Sequence, residues 1–114
     1  MHDSIKMQRL DCYVVAKELA ARVHRAEIRD SELKDQARRA SKSAFLQLAE
    51  GLPNEGAGMR RKYFTESHNS VHELVAAIDL ARDLGVIDRA LAGEVLAASA
   101  RLKAMLYGLL RKVA

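Results

Sequence analysis

Apolar residues recur along this chain every three or four positions, in four blocks separated by short polar or glycine-containing breaks. That spacing keeps them on one face of an α-helix, which turns once in about 3.6 residues. The first block predicts a helix over about residues 6–28. Leu10, Val14, Val15, Leu19, Ala21 and Val23 supply its apolar positions, and Lys17, Glu18, Arg22 and Arg25 fall largely on other faces. Asp30 and Ser31 then offer an N-cap, since a short polar side chain accepts a hydrogen bond from an unpaired N–H of the first turn. Glu32 follows near the positive end of the helix dipole.

The second block predicts a helix over about 32–50, with Leu33, Ala37, Ala40, Ala44 and Leu48 as its stripe and Phe45 beside it. Its stop is a cluster of signals. Gly51 is expected in the left-handed C′ conformation and Leu52 is expected to fold back toward Leu46. Pro53, the chain's one proline, lacks an N–H and clashes with a preceding helical turn. A loop over 52–58 leads to a third helix over about 59–84, carrying Phe64, Val71, Leu74, Val75, Ile78 and Ala81. Gly85 ends it, with Val86 placed over the last turn. Asp88 caps a fourth helix over about 89–112, with Leu91, Val95, Ala98, Leu102, Met105, Leu109 and Val113 on one side.

Helices of similar length with short connections favour antiparallel neighbours. The predicted fold is therefore all-α, an up-and-down antiparallel four-helix bundle in one domain over 1–114. Composition agrees: 49% of residues are hydrophobic but only 4% are aromatic, with no Trp. Such a core is built from Leu, Val, Ile, Ala and Met, which suits helices better than a sandwich of strands. The wide apolar stripes of the third and fourth helices, at Leu74-Val75 and Leu109-Leu110, fit either a four-helix core or a contact between subunits.

Charge adds a modest bias. Nineteen Lys and Arg exceed fifteen Asp and Glu, for a net charge of +4, and the pI is about 9.5. That balance suits nucleic acid or another anionic surface without requiring one. Cys12 is the only cysteine, so no internal disulfide forms, as expected in a reducing compartment. Met1 to Lys6 has no signal-like apolar core. No apolar run approaches the ~20 residues that span a bilayer. The expectation is a cytoplasmic protein with no membrane partner.

Certain stretches are more specific. The second helix carries Gln36-Ala-Arg38-Arg39-Ala40 and ends in Ala49-Glu50-Gly51. The third carries Ser70-Val-His-Glu73-Leu74, and the turn after it reads Leu84-Gly85-Val86-Ile87. From about Leu10 to Lys112 the chain resembles a bacterial four-helix-bundle family. Its members were first noticed as proteins encoded by intervening sequences in large-subunit ribosomal RNA genes. The accessory variability determinant of diversity-generating retroelements belongs to the same group. The resemblance implies a ring-shaped homopentamer. For the retroelement members it also implies binding to RNA or DNA and association with a reverse transcriptase. Two features depart from the family pattern. The loop after Gly51 is longer than the usual short basic turn, and His68-Asn69 stands where small residues are common.

Candidate chemistry is sparse. Arg38, Arg39 and Lys42 lie within about one turn of the second helix, and Arg60, Arg61 and Lys62 open the third. These six are the candidate nucleic-acid-binding residues, because phosphates are held by flexible or forked cations at no fixed spacing. In an antiparallel hairpin the two clusters stand about 18 Å apart along the axis and need not form one patch. Ion pairs of Asp35 with Arg38 or Arg39 are the alternative use of these charges. The cations at the third helix's start oppose its dipole, which calls for a partner or for Glu55. Glu50, at a helix C-terminus, likewise calls for a cation such as Arg38, Arg39 or one from a neighbouring subunit.

His68 and His72 share a face at a spacing that can hold a metal. No third ligand is apparent, so no metal is expected. Asn54-Glu-Gly-Ala-Gly58 lacks the Lys-Ser/Thr of a phosphate-binding P-loop. No nucleophile–base set is visible, so neither an enzyme nor a cofactor is expected. The expectation is a self-assembling scaffold that binds nucleic acid or a nucleic-acid enzyme. A protein-interaction module with no nucleic-acid role is the alternative.

Overall fold

A computed structural model describes the backbone of residues 2–113 and the side chains of residues 6–113; Met1, the start of the polar N-terminal stretch, and Ala114 lie outside them. Four helices account for most of the chain: α1 (His2–Arg25), α2 (Ser31–Gly51), α3 (Ala57–Asp83) and α4 (Arg89–Arg111). They form an all-α bundle, with no strand among the described residues. α1 packs on α2 and α4, and α3 packs on the same two, while the diagonal pairs do not meet. That square arrangement of antiparallel neighbours makes a rod of 44 × 21 × 19 Å.

The helix starts follow local chemistry. Asp30 Oδ1 accepts a hydrogen bond from the Leu33 N–H at 2.9 Å, and Asp88 Oδ2 accepts one from the Leu91 N–H at 3.0 Å. Both are the predicted caps. α3 differs, since Gly56 caps it with no side-chain hydrogen bond. The connection before it is therefore 52–56, with Gly56 N–H donating to Asn54 Oδ1 at 3.1 Å. α1 stops at Arg25, three residues before the predicted end, and an irregular run through Ile28 buries Ala26 and Ile28.

At the α3 end, Gly85 has φ +71°, a backbone conformation that L side chains rarely adopt. It lets Val86 N–H reach Ala81 O at 3.1 Å and Gly85 N–H reach Arg82 O at 3.1 Å. These two bonds satisfy carbonyls that the last helical turn would leave unpaired.

Gly51 does something other than the expected left-handed stop. It is the last helical residue of α2 and it is buried, and Leu52 after it keeps right-handed helical angles. A Cβ on Gly51 would lie 2.8 Å from Phe64 Cε1 and 2.9 Å from Tyr63 Cβ. The glycine is there so that α2 and α3 can touch. Leu52 packs against the core, while Leu46 is 59% exposed.

The α2–α3 seam is built from small residues along much of its length. Ala37, Ala40 and Ala44 of α2 meet an α3 face that carries Ser67, Ser70 and Ala77. Ser67 Oγ donates to Ala44 O at 2.6 Å, and the Ser43 and Ser70 hydroxyls are 2.9 Å apart. Buried hydroxyls with partners let two helices approach without leaving polar atoms unsatisfied.

The predicted stripes of α2, α3 and α4 face the core, and α4 adds Ala92, Ser99 and Leu106 to it. The α1 stripe needs correction. Cys12, Ala16, Leu19 and Val23 are its buried line, whereas Leu10 and Val14 are 62% and 41% exposed. Both sets repeat at helical spacing. Periodicity alone does not say which of two apolar lines on one helix faces inward.

Candidate nucleic-acid interface

The six candidate cations divide into two groups at different levels of the rod. Arg38, Arg39 and Lys42 line one shallow groove on α2 with Asp35, Ser43, Leu46 and Gln47, of about 590 Å³. Arg60, Arg61 and Lys62 sit at the other end of α2, beside the 52–56 connection. The two clusters are not one patch.

Three of the six arginine and lysine side chains are engaged with backbone carbonyls. Arg38 Nη2 donates to His24 O at 2.8 Å, at the end of α1. Arg60 Nη1 donates to Asn54 O at 3.0 Å and Glu55 O at 3.1 Å. Arg61 Nη2 donates to Val113 O at 3.1 Å, just past α4. Helix ends leave carbonyls without intrahelical partners and carry partial negative charge, so a guanidinium suits both needs. Arg29 acts in the same way, with Nη2 donating to Gly85 O at 2.8 Å and its N–H to Val86 O at 2.8 Å. It ties the α1–α2 connection to the α3–α4 turn. Sequence reasoning missed Arg29, and expected Arg38, Arg60 and Arg61 to meet phosphates or carboxylates where they meet backbone carbonyls. The available signal was the set of unpaired carbonyls that every helix end must satisfy.

The remaining three are freer. Arg39 donates to Gln36 Oε1 at 2.7 Å, one turn back on its own helix. Lys42 and Lys62 are exposed. Asp35 does not pair with Arg38 or Arg39, and Glu50 is exposed without the expected cation. The only ion pair among the described residues is Arg82 with Asp79, at 2.9 Å. The cations at the α3 start are offset by the Asn54 and Glu55 carbonyls that Arg60 binds, not by the Glu55 carboxylate.

The histidines do not make a ligand set. His72 Nδ1 lies 3.2 Å from Lys103 Nζ, and an ammonium there opposes a bound cation. Burial, then Lys103 and His72, hold the half-buried His68 imidazole below its usual range. No cluster of three His, Cys, Asp or Glu gathers among the described residues. Cys12 is fully buried, and burial pushes its thiol up to about 12. At neutral pH it is a small apolar core group and not a nucleophile. A second groove, of about 540 Å³, lies between α1 and α4 and includes Asp11, Arg111, Lys112 and Gln8. Lys112 Nζ donates to Gln8 Oε1 across it.

The residues of the sequence signature now have physical roles. Arg38 closes the end of α1, Gly51 permits helix contact, Ser70 pairs with Ser43 and Leu74 is buried. Gly85 makes the turn and Ile87 is buried beneath it. Together they describe one particular bundle. Residues 8–108 match the family model described as 23S rRNA-intervening sequence protein. The chain belongs to that family. No individually curated protein matches it. Of the six candidate cations, Arg39, Lys42 and Lys62 have no hydrogen bond to another element. No described helix is long and apolar enough to cross a membrane.

Proposed function

We propose that this 23S rRNA-intervening sequence family protein is a non-enzymatic, self-associating scaffold that holds nucleic acid by its phosphates. The observation that carries the reading is the α2 groove. Arg39 and Lys42 line it with no ion pair, beside Asp35 and beside Arg38, which also holds the His24 carbonyl. Cations left unpaired on an open surface are available to phosphate oxygens. Self-association, in a pentamer by the resemblance, repeats the groove around the assembly and raises the field each copy contributes to. A nucleic-acid enzyme such as a reverse transcriptase is the kind of protein partner such a scaffold serves, in the cytoplasm.

The test is a gel-shift titration against an RNA hairpin and a single-stranded DNA of equal length, across a salt series. Arg39→Gln with Lys42→Gln is the variant, because neither side chain holds a helix end. Wild-type affinity is expected to fall steeply with salt, and the slope is expected to drop by about one per lost phosphate contact. Binding that ignores salt, or a variant that binds like wild type, would defeat the proposal.

A further inference from the structure

We infer that copies of this chain join head to tail through two unlike faces. The outer ridge of α1 in one copy seats in the trough between α2 and α3 of the next. This rests on the self-association proposed above and adds the surfaces that produce it. Met7, Leu10 and Val14 recur at three- and four-residue spacing on the side of α1 away from its buried line. They are 63%, 62% and 41% exposed. Three large apolar side chains in one line form a continuous strip, unlike the single exposed apolar residues that any surface carries.

The trough is lined by Leu33, Gln36, Glu73, Ala76, Ala77 and Leu80, with a volume of about 280 Å³. Its small alanines leave space, and Leu80 is 48% exposed beside them. Most of its lining is apolar, as a partner for the ridge requires.

Charge selects the pairing and its direction. On helical spacing, Lys17 flanks the ridge on one side, and Asp11 and Glu18 flank it on the other. Glu73 stands on the α3 lip of the trough. None of Lys17, Asp11, Glu18 or Glu73 has an ion-pair partner within the chain among the described residues. In one axial direction Lys17 meets Glu73, and in the other Asp11 and Glu18 do. In the reverse direction like charges face each other, which suppresses that docking. Each copy keeps one free ridge and one free trough, so the contact propagates and closes into a ring or extends as a filament.

Light scattering on the full chain without nucleic acid tests this. Leu10→Asp disables the ridge and Ala76→Arg fills the trough; both positions are exposed, so the helical circular dichroism of each variant should stay near wild type. Each variant is expected to be monomeric where wild type is oligomeric. An equimolar mixture is expected at twice the monomer mass, since one intact ridge and one intact trough remain. Lys17→Glu and Glu73→Lys are each expected to weaken assembly several-fold, and the double swap to recover it. A monomeric wild type, either variant at wild-type mass, or a mixture that stays monomeric would overturn the assignment. Ala76→Arg at wild-type mass would point to a symmetric ridge-to-ridge contact instead. A monomeric wild type that still shifts RNA in a salt-dependent way would leave the phosphate-binding reading intact and sink self-association together with this contact.

Discussion

At Gly51 one missing atom sets the spacing of two helices. A methyl group there meets the Phe64 ring and the Tyr63 Cβ at under 3 Å. Neither neighbour is the free end of a flexible chain: Phe64 is fully buried, and a Cβ moves only with its backbone. Alanine would ordinarily favour a helix over glycine by about 0.5–1 kcal/mol. Overpacking a filled core costs about 1–3 kcal/mol, so the steric term wins here. Gly51→Ala is expected to lower unfolding free energy by about 1–2 kcal/mol after that offset, measured by urea denaturation. A gain in stability would mean that the α2–α3 approach is looser than the seam of small residues indicates.

At the scale of the element, each helix is legible from its own sequence but its tethers are not. The Asp30 and Asp88 caps, the Gly85 turn and the inward stripes of α2 and α3 follow from local patterns that local hydrogen bonding enforces. The α1 stripe does not, because Leu10 and Val14 repeat as regularly as Cys12, Ala16 and Leu19, and only packing against α2 and α4 decides between them. The arginine clusters fail for a related reason. Arg61 and Val113 are 52 residues apart, and no local rule joins them. That tether makes an element-level prediction. Arg61→Gln is expected to speed hydrogen exchange over the last turn of α4 and cost about 0.5–1.5 kcal/mol, the usual worth of one hydrogen bond. Its effect on the salt slope of RNA binding is expected to be small, whereas Lys42→Gln is expected to do the reverse. Arg61→Gln that weakens RNA binding while leaving exchange unchanged would return Arg61 to the phosphate-contacting set.

For the whole molecule, the seam between α3 and α4 links stability to acidity. His68 sits half-buried on α3, and both burial and the Lys103 ammonium of α4 disfavour its charged form. The folded state therefore binds the imidazole proton less readily than the unfolded chain, whose histidine titrates near the ordinary value of about 6.5. Where the unfolded state holds more protons, stability rises with pH. The His68 contribution is thus fully present above about 6.5 and is lost as pH falls below it. His72 lies in the same cluster, with its Nδ1 3.2 Å from Lys103 Nζ. Carboxylates also affect acid stability, so the informative quantity is a difference. His68→Gln is expected to flatten the decline in unfolding free energy between pH 7 and 5, and Lys103→Gln to flatten it partly by removing the repelling charge. Parallel curves for wild type and His68→Gln would show that the imidazole is as easily charged in the bundle as in the unfolded chain, and that the α3–α4 seam is more open to water than its geometry indicates.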